Sequence, residues 1–194
     1  MTKQVLITGS EGVVGRALSA EAKARSYTVV SMDSVLGHNL YTMDMIYEFQ
    51  RLLRSVDMVM LCCRARELEY ANWAIALLRN RCEPTVLVTF GSMSTYMMSL
   101  AQLDQVDQGY IDQKKQLDEL ISWQQSEQIR LDRWNPWIMH VRPGIIDCAA
   151  HEHRRPPKLN VDHLAQVVWM NIDAWTGVRE LVLAYQPGQQ GQQQ

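Results

Sequence analysis

The feature that most constrains the fold is a regular alternation of short apolar segments with segments of helical periodicity. Val56–Cys63 is almost wholly apolar, which is typical of a strand buried on both faces of a parallel sheet. Val13–Arg25 and Met45–Arg54 instead carry their apolar residues at the three- and four-residue spacing of a helix. Strands that alternate with helices along a whole chain predict a parallel sheet with right-handed crossovers and helices on both faces.

The predicted elements together make one domain of the Rossmann type, a doubly wound parallel α/β sheet in three α/β/α layers, which we assign to residues 1–186. A disordered glutamine-rich tail is expected over 187–194, and a loop over Asp147–Leu159. The predicted strands are Lys3–Thr8, Thr28–Met32, Val56–Cys63, Thr85–Phe90, Trp137–Val141 and Leu181–Tyr185. The predicted helices are Val13–Arg25, Met45–Arg54, Glu67–Asn80, Tyr110–Gln128 and Val161–Asn171.

Composition and charge exclude several classes of function. The 194 residues carry a net charge of −2 with no basic stripe, which argues against nucleic-acid binding. The longest apolar stretch, Met58–Cys63, is far too short to span a membrane, and Met1–Gly9 lacks the length of a secretory signal, so we expect neither a membrane span nor a signal. Four cysteines fit no zinc spacing, and His151 and His153 lack a third ligand, so no metal is expected. We therefore expect a cytoplasmic protein that acts on a small molecule.

A glycine-rich turn lies between the first predicted strand and the first predicted helix. At this place glycines allow backbone N–H groups and a helix N-terminus to approach a pyrophosphate. The sequence therefore predicts a dinucleotide site, although glycines also serve ordinary tight turns in nucleotide-free folds of this kind. The residues expected to bind the cofactor here are Gly9, Ser10, Glu11, Gly12, Val13, Val14 and Gly15.

Asp33 lies 18 residues after Gly15, directly after the second predicted strand. A carboxylate at this position can accept hydrogen bonds from the adenosine ribose and would repel a 2′-phosphate, which favours NAD over NADP. The alternative is a solvated aspartate at a strand end. Arg16 and Arg25 keep a 2′-phosphate possible, so NADP stays the less favoured cofactor.

Tyr110 and Lys114 are four residues apart on a predicted helix and so share one of its faces. A nearby ammonium favours the phenolate and lowers a tyrosine pKa, which suits proton exchange with a substrate hydroxyl or carbonyl. Ser92, or its rival Ser94, follows a predicted strand and could hold the same oxygen. The alternative is that Tyr110 is a half-buried helix aromatic and Lys114 a surface partner of Asp118.

These motifs, taken in order, resemble the short-chain dehydrogenase/reductase superfamily. The TGxxGxxG spacing at Thr8–Gly15 is similar to that of its extended and atypical branches, which include NAD-dependent epimerase/dehydratase-like proteins. The resemblance covers nearly the whole chain, and its further matches are Asp44–Met45, Val56–Leu61, Asn72, Ser92, YxxxK at Tyr110–Lys114, Arg142–Gly144 and Leu159–Val168.

The resemblance implies a role for each matching residue. Tyr110 is the general acid/base, Lys114 tunes it and binds the nicotinamide ribose, Ser92 polarises the substrate oxygen, and Asn72 holds a water in a proton relay. Further cofactor contacts are implied for Asp44, Met45, Cys62, Cys63, Tyr110, Lys114, Pro143 and Gly144.

The resemblance also implies a homodimer through the helix that contains Tyr110 and Lys114. That helix carries more apolar residues than one packed face needs, which supports an interface. Its apolar strip is Leu117, Leu120, Ile121 and Trp123. The other tryptophans of the second half, Trp134, Trp137, Trp169 and Trp175, are interpreted as core and interface anchors.

Departures from the family pattern leave a second hypothesis open. Gly91–Ser92 replaces a serine pair, Arg64 ends a run of small residues, and about 50 residues follow Pro143, which disfavours a large nucleotide-sugar substrate. The chain is predicted to be an NAD(P)-dependent oxidoreductase or epimerase/dehydratase-like enzyme. The alternative is a dinucleotide-binding sensor or scaffold without turnover. Four arginines could recognise an anionic substrate, or simply be solvated: Arg64, Arg66, Arg154 and Arg155.

Overall fold

The computed structural model describes residues 2–64, 66–92, 108–144, 146, 158–174 and 177–183. Within them, six parallel strands form one sheet: β1 Gln4–Thr8, β2 Thr28–Met32, β3 Met58–Leu61, β4 Val86–Phe90, β5 Trp137–Pro143 and β6 Glu180–Leu183. The helices of these residues are α1 Val13–Ala24, α2 Met43–Leu52, α3 Glu67–Leu78, α4 Gln108–Leu131 and α5 Val161–Asp173, with a 3₁₀ turn at Ser34–Leu36. None of these helices is both long and apolar enough to cross a membrane.

Helices cover both faces of the sheet, so the predicted three-layer architecture is confirmed. Alternate strand residues point to opposite faces, and each face has its own buried cluster. On one face Leu6, Val59 and Leu87 pack with side chains of α2, α3 and α4. On the other face Val5 and Met60 pack with side chains of α1 and α5. Apolar side chains therefore line most of both faces of the strands, as is typical of a sheet buried on both faces.

The strand order is β2-β1-β3-β4-β5-β6. Relative to the common dinucleotide-binding order 3-2-1-4-5-6, the strand beyond β2 is missing from the described residues. The chain passes from β2 to β3 through the 3₁₀ turn and α2 alone. The direction of winding reverses between β1 and β3, and in open α/β sheets ligands bind at this switch point, outside the carboxyl ends of the strands.

The predicted elements are confirmed, and their bounds differ where pairing decides them. β3 is shorter than predicted, because only Met58–Leu61 pairs with Val5–Thr8 of β1. β5 extends through Pro143, because His140–Pro143 pairs with Glu180–Leu183 of β6. Most of the predicted loop (147–157) and the glutamine-rich tail lie outside the described residues.

Candidate active site

The carboxyl ends of the central strands lie level with one another. Thr8 of β1 pairs with Leu61 of β3, and Leu61 pairs with Thr89 of β4. The segments that follow these strands therefore leave the sheet side by side. This edge brings together the glycine-rich turn, the cysteine pair and Ser92.

The glycine-rich turn is held by contacts that exclude side chains. Gly9 has φ +68°, and a Cβ there would lie 2.8 Å from the backbone nitrogen of Cys63. A Cβ on Gly15, in the first turn of α1, would lie 2.1 Å from the carbonyl oxygen of Gly9. Both positions need glycine, since the backbones of β1, β3 and α1 approach one another too closely for any other residue. This close approach places the N-terminus of α1 at the switch point.

Asp33 closes the turn from the side of β2. Its Oδ2 accepts a hydrogen bond of 3.0 Å from the backbone N–H of Glu11, and its Oδ1 accepts one of 2.9 Å from the N–H of Val35. The side chain is buried, with 6% of the residue exposed, so Asp33 is not a solvated strand-end residue. A carboxylate has about four acceptor sites, so each oxygen retains capacity for a ribose hydroxyl.

The residues of the turn fit a bound pyrophosphate. No side chain caps α1, and its first turn holds no acidic residue, which leaves the positive end of the helix open to an anion. A Cβ on Gly12 would meet only the Gly9 carbonyl oxygen, at 3.2 Å, so the space beside it is otherwise open. The hydroxyl of Ser10 is buried and forms no hydrogen bond with any residue that the structure describes, as expected of a group that would bind a ligand.

Cys62 and Cys63 follow β3 and lie against Gly9. The N–H of Cys62 donates to the Thr8 carbonyl at 3.0 Å. Burial raises the pKa of the Cys62 thiol well above its ordinary value and that of Cys63 to about 11. Both thiols are therefore neutral at physiological pH, and each serves as a small uncharged residue beside the turn.

Tyr110 lies half-buried near the start of α4, between two cations. The guanidinium carbon of Arg64 lies 4.8 Å from the centre of its ring, and the Lys114 Nζ lies 5.8 Å from it. Tyr110 and Lys114 thus share one face of α4, as their spacing predicts.

Lys114 is buried, contrary to the interpretation of it as a surface partner of Asp118. Its Nζ donates to Glu67 Oε2 and to the Phe90 carbonyl oxygen, both at 2.5 Å. Only 7% of Lys114 and 8% of Glu67 are exposed. Burial raises the pKa of Glu67, an effect that Lys114 opposes. Glu67 was missed from the sequence, and the available signal was its place as the first residue of a helix that starts at this edge.

Asp118 instead joins a buried network one turn further along α4. Its Oδ1 lies 2.7 Å from His140 Nε2, and His140 Nδ1 lies 2.7 Å from the Thr89 hydroxyl. The Arg142 Nε lies 3.5 Å from the same Asp118 oxygen. A Cβ on Gly91 would lie 2.6 Å from His140 Nε2. Glycine therefore precedes Ser92 because the ring and the carboxylate fill the space that a side chain would need.

The other predicted site residues lie at various distances from this centre. Ser92 follows β4 and is half-buried, and Pro143 and Gly144 end β5 at the same edge. Asp44 is exposed in the first turn of α2, and Met45 beside it is half-buried. Asn72 is exposed on α3, and the α3 side chain that reaches Lys114 is Glu67.

The remaining candidates have more local roles. Arg66 donates to the Tyr41 carbonyl oxygen at 3.0 Å and forms an ion pair with Glu69. Trp169 is fully buried and is confirmed as a core anchor. The described ranges hold no cluster of three His, Cys, Asp or Glu residues that could bind a metal. The positions outside those ranges are Ser94, His151, His153, Arg154, Arg155 and Trp175.

Several solved structures with the same fold are dehydrogenases, two of them described as short-chain dehydrogenases. One from Burkholderia cenocepacia, in complex with NADP, matches with a TM-score of 0.72 at 12% identity, covering 95% of this chain and 90% of that one. Another, from Mycobacterium ulcerans, matches with a TM-score of 0.72 at 13% identity, covering 93% and 87%. The 3-alpha-hydroxysteroid dehydrogenase from a Pseudomonas species, complexed with NADH, matches with a TM-score of 0.65 at 14% identity, covering 93% and 95%.

The chain has the fold of the short-chain dehydrogenases. At these identities the likeness establishes the architecture, and the chemistry must be argued from the site. No protein-family model matches the sequence, and no curated protein does. The resemblance to the epimerase/dehydratase-like branch therefore stays a prediction.

The buried ion pair generates a stability prediction. We expect Lys114→Met to lower the free energy of unfolding at neutral pH by about 3–5 kcal/mol, because it leaves the Glu67 carboxylate buried without its partner. Loss of Lys114 also raises the pKa of Glu67 further. A carboxyl with a raised folded-state pKa binds more protons when folded, so stability must fall as pH rises above the ordinary value of 4.5.

Urea denaturation between pH 4 and pH 8 (about the range in which carboxyl groups and histidine titrate) measures both effects. The neighbouring Lys115→Met is the control, since Lys115 is exposed. A loss in Lys114→Met that equals the control, or that shrinks as pH rises, would show that the pair does not act as described.

Proposed function

We propose that the chain is an NAD-dependent oxidoreductase that acts on a hydroxyl or carbonyl group of a small molecule. The observation that carries the proposal is the meeting of two sets of residues at one sheet edge. Gly9 of the glycine-rich turn lies against Cys62 and Cys63 at the end of β3, and the Glu11 N–H of the same turn donates to Asp33. Lys114 donates to the Phe90 carbonyl oxygen at the end of the adjacent strand β4. A dinucleotide held by the turn would therefore extend toward Tyr110 and Lys114.

The cofactor we propose is NAD, which when bound supplies the hydride exchange. The N–H groups at the start of α1 and the Ser10 hydroxyl would hold its pyrophosphate, and Asp33 would accept from the adenosine ribose. By resemblance, further contacts come from Asp44, Met45, Cys62, Cys63, Pro143 and Gly144. Solved structures of the same fold contain NADP in one case and NADH in another, which supports a nicotinamide dinucleotide.

Tyr110 is the proposed general acid/base. Its phenol exchanges a proton with the substrate oxygen, and the Ser92 hydroxyl donates a hydrogen bond to that oxygen. Lys114 supplies a positive charge beside the phenol and, by resemblance, a contact with the nicotinamide ribose. The water that Asn72 is expected to hold stays a prediction, because that side chain is exposed on α3.

A second candidate, a dinucleotide sensor without turnover, is favoured by one specific observation. The Lys114 ammonium donates to the Glu67 carboxylate and to the Phe90 carbonyl, so its charge is partly offset at the place where catalysis would use it. A fold of this kind can bind a dinucleotide without chemistry. The two candidates differ in whether Tyr110 matters for turnover.

We also propose a homodimer, through a surface that keeps Trp123 of the predicted strip but not its buried leucine and isoleucine side chains. The predicted apolar strip is wrong in part, because Leu117 and Ile121 are buried in the core of the chain itself. Trp123 on α4 is 57% exposed, and Trp73 on the adjacent α3 is 42% exposed. Exposed tryptophans on two helices that pack together are suited to an interface.

We propose that the enzyme is cytoplasmic. The cysteines among the described residues, Cys62, Cys63 and Cys82, are free thiols, which suits a reducing compartment.

Cofactor binding is tested by isothermal titration with NADH. Gly12→Val places a branched side chain beside the turn where the pyrophosphate must approach, so we expect affinity to fall at least about tenfold. Ala24→Val, at the exposed far end of α1, is the matched control and should bind as the parent does. Equal affinity of Gly12→Val and the parent would contradict the site.

The same titrations with NADPH test the choice of cofactor. Asp33 would repel the 2′-phosphate, so the parent should prefer NADH. Equal affinities for the two dinucleotides would remove the reason for preferring NAD.

Turnover is tested with Tyr110→Phe, which removes only the phenol oxygen. We expect NADH affinity to stay near that of the parent and kcat to fall at least about 100-fold on a substrate found by screening small alcohols and ketones. Tyr47→Phe, which alters an exposed tyrosine of α2, is the control. Full turnover by Tyr110→Phe refutes the acid/base role, and tight NADH binding with no turnover on any substrate favours the sensor.

The oligomeric state is tested with Trp123→Glu. A buried charge at an apolar interface is costly, so we expect the variant to be monomeric under conditions in which the parent is a dimer. Sedimentation velocity at micromolar concentration measures this, with Tyr47→Glu as a control on another helix. A monomeric parent would refute the homodimer.

A further inference from the structure

We infer that Glu67 is a positioning residue of this site, which holds the Lys114 ammonium against the end of β4 and offsets the positive charge that Lys114 presents to Tyr110. Its enzymatic consequence rests on the proposed function. The offset of the Lys114 charge by Glu67 follows from their contact and does not depend on that function.

The first observation is the geometry of the Lys114 ammonium. It donates to Glu67 Oε2 and to the Phe90 carbonyl oxygen at 2.5 Å each, while the Tyr110 ring centre lies 5.8 Å away. Of its three protons, the described part of the chain thus accounts for two. An ammonium paired so closely with a carboxylate acts on more distant groups as a dipole rather than as a full charge. Tyr110 therefore receives less stabilisation of its phenolate than an unpaired lysine would give.

The second observation is that the Glu67 carboxylate is poorly suited to a purely structural role. Its Oε1 is buried, and none of the described residues forms a hydrogen bond with it. A buried polar atom left unsatisfied costs stability, and a buried ion pair is often no more stable than apolar residues of the same size. A group that costs stability at a sheet edge where ligands bind is better explained by control of its partner.

The other charged side chains near the Lys114–Glu67 pair are placed so that they do not offset the Lys114 charge as Glu67 does. Asp118, one turn from Lys114 on the same face of α4, has its carboxylate engaged by His140 and lies 3.5 Å from the Arg142 guanidinium. Arg64 lies over the Tyr110 ring on the side of β3. Among the described residues, the titratable and charged groups near Lys114, Glu67 and Tyr110 are Cys62, Cys63, Arg64 and Asp118, and His140 and Arg142 lie behind them as partners of Asp118.

Glu67 would also set the affinity for the dinucleotide. Any ribose hydroxyl that binds the Lys114 ammonium must compete with Glu67 or use the remaining proton. Removal of the carboxylate's charge should therefore strengthen both NADH binding and the acidity of Tyr110.

Glu67→Gln is the test, because it keeps the size of the side chain and an amide oxygen that can still accept from Lys114. The chain has seven tyrosines, so the phenolate absorbance of Tyr110 is isolated by subtracting the titration of a Tyr110→Phe partner in each background. We expect the titration midpoint of Tyr110 to fall by about one pH unit in Glu67→Gln. Glu119→Gln, which removes an exposed carboxylate from α4, should leave the midpoint unchanged.

Each outcome decides the inference. A midpoint in Glu67→Gln that stays at the parent value, or that moves no more than in Glu119→Gln, overturns it. Glu67→Asp keeps the charge and should stay close to the parent, so a fall as large as that of Glu67→Gln also overturns it. If Glu67→Gln does not fold, the charge of Glu67 is tested in the Lys114→Gln background: the double variant Lys114→Gln/Glu67→Gln should titrate at a lower pH than Lys114→Gln alone, and equal midpoints overturn the inference.

NADH titration of the same variants separates this inference from the proposed function. Tighter binding by Glu67→Gln, about threefold or more, supports the competition for Lys114. If neither the parent nor any variant binds NADH, the proposed function fails, while the Tyr110 titration still decides whether Glu67 offsets Lys114.

Discussion

The close approach of three backbones at Gly9 and Gly15 is the constraint on which the site depends. β1 ends at Thr8, and the chain then turns at Gly9, which has a positive φ and lies against the backbone of Cys63. In the first turn of α1, Gly15 lies too close to the Gly9 carbonyl oxygen to carry a side chain. No side chain fits at either glycine. As a result, the positive end of α1 lies at the switch point between β1 and β3, where an anionic ligand gains most from free N–H groups. The Asp33 carboxylate then closes the turn from β2 by accepting the Glu11 N–H.

Buried charged side chains fix the position of α4 on the other side of this sheet edge. Lys114 and Asp118 lie one turn apart on α4, and each points into the interior and finds a partner from a different element. Lys114 takes Glu67 of α3 and a carbonyl of β4, and Asp118 takes His140 of β5. These contacts tie α4 to three other elements by directional bonds, which specify its rotation and depth more narrowly than apolar packing alone. The position of Tyr110 follows from that placement.

The sequence predicted the fold and the glycine-rich turn more fully than the contacts around Tyr110 and Lys114. Strand runs such as Thr85–Phe90 and the glycines of the turn are local signals, since a wholly apolar run or a backbone that excludes Cβ is visible in the residues themselves. The partner of Lys114 was not predictable in this way. Glu67 lies 47 residues away in the chain and is in contact only because parallel strands bring α3 and α4 to one edge. Leu117 and Ile121 were likewise assigned to a dimer interface. Helical periodicity shows that these side chains lie on an apolar face of the helix, but it does not show whether that face packs against the core of the same chain or against a second copy.

Gly91 shows how the buried network restricts the ways in which this site can change. Its missing side chain is the space that His140 and Asp118 occupy, so any larger residue before Ser92 would push the ring away from the carboxylate. A serine at this position, as in the pair found in the resembled family, would place a Cβ 2.6 Å from His140 Nε2 and 2.7 Å from Asp118 Oδ1, so it would require these buried side chains to shift or to be replaced. The two changes, at Gly91 and at its neighbours, are coupled, and each alone passes through a destabilised intermediate. Laboratory evolution by single substitutions would therefore retain this glycine, and libraries that vary Gly91 and His140 together would be needed to reach other arrangements of the strand end.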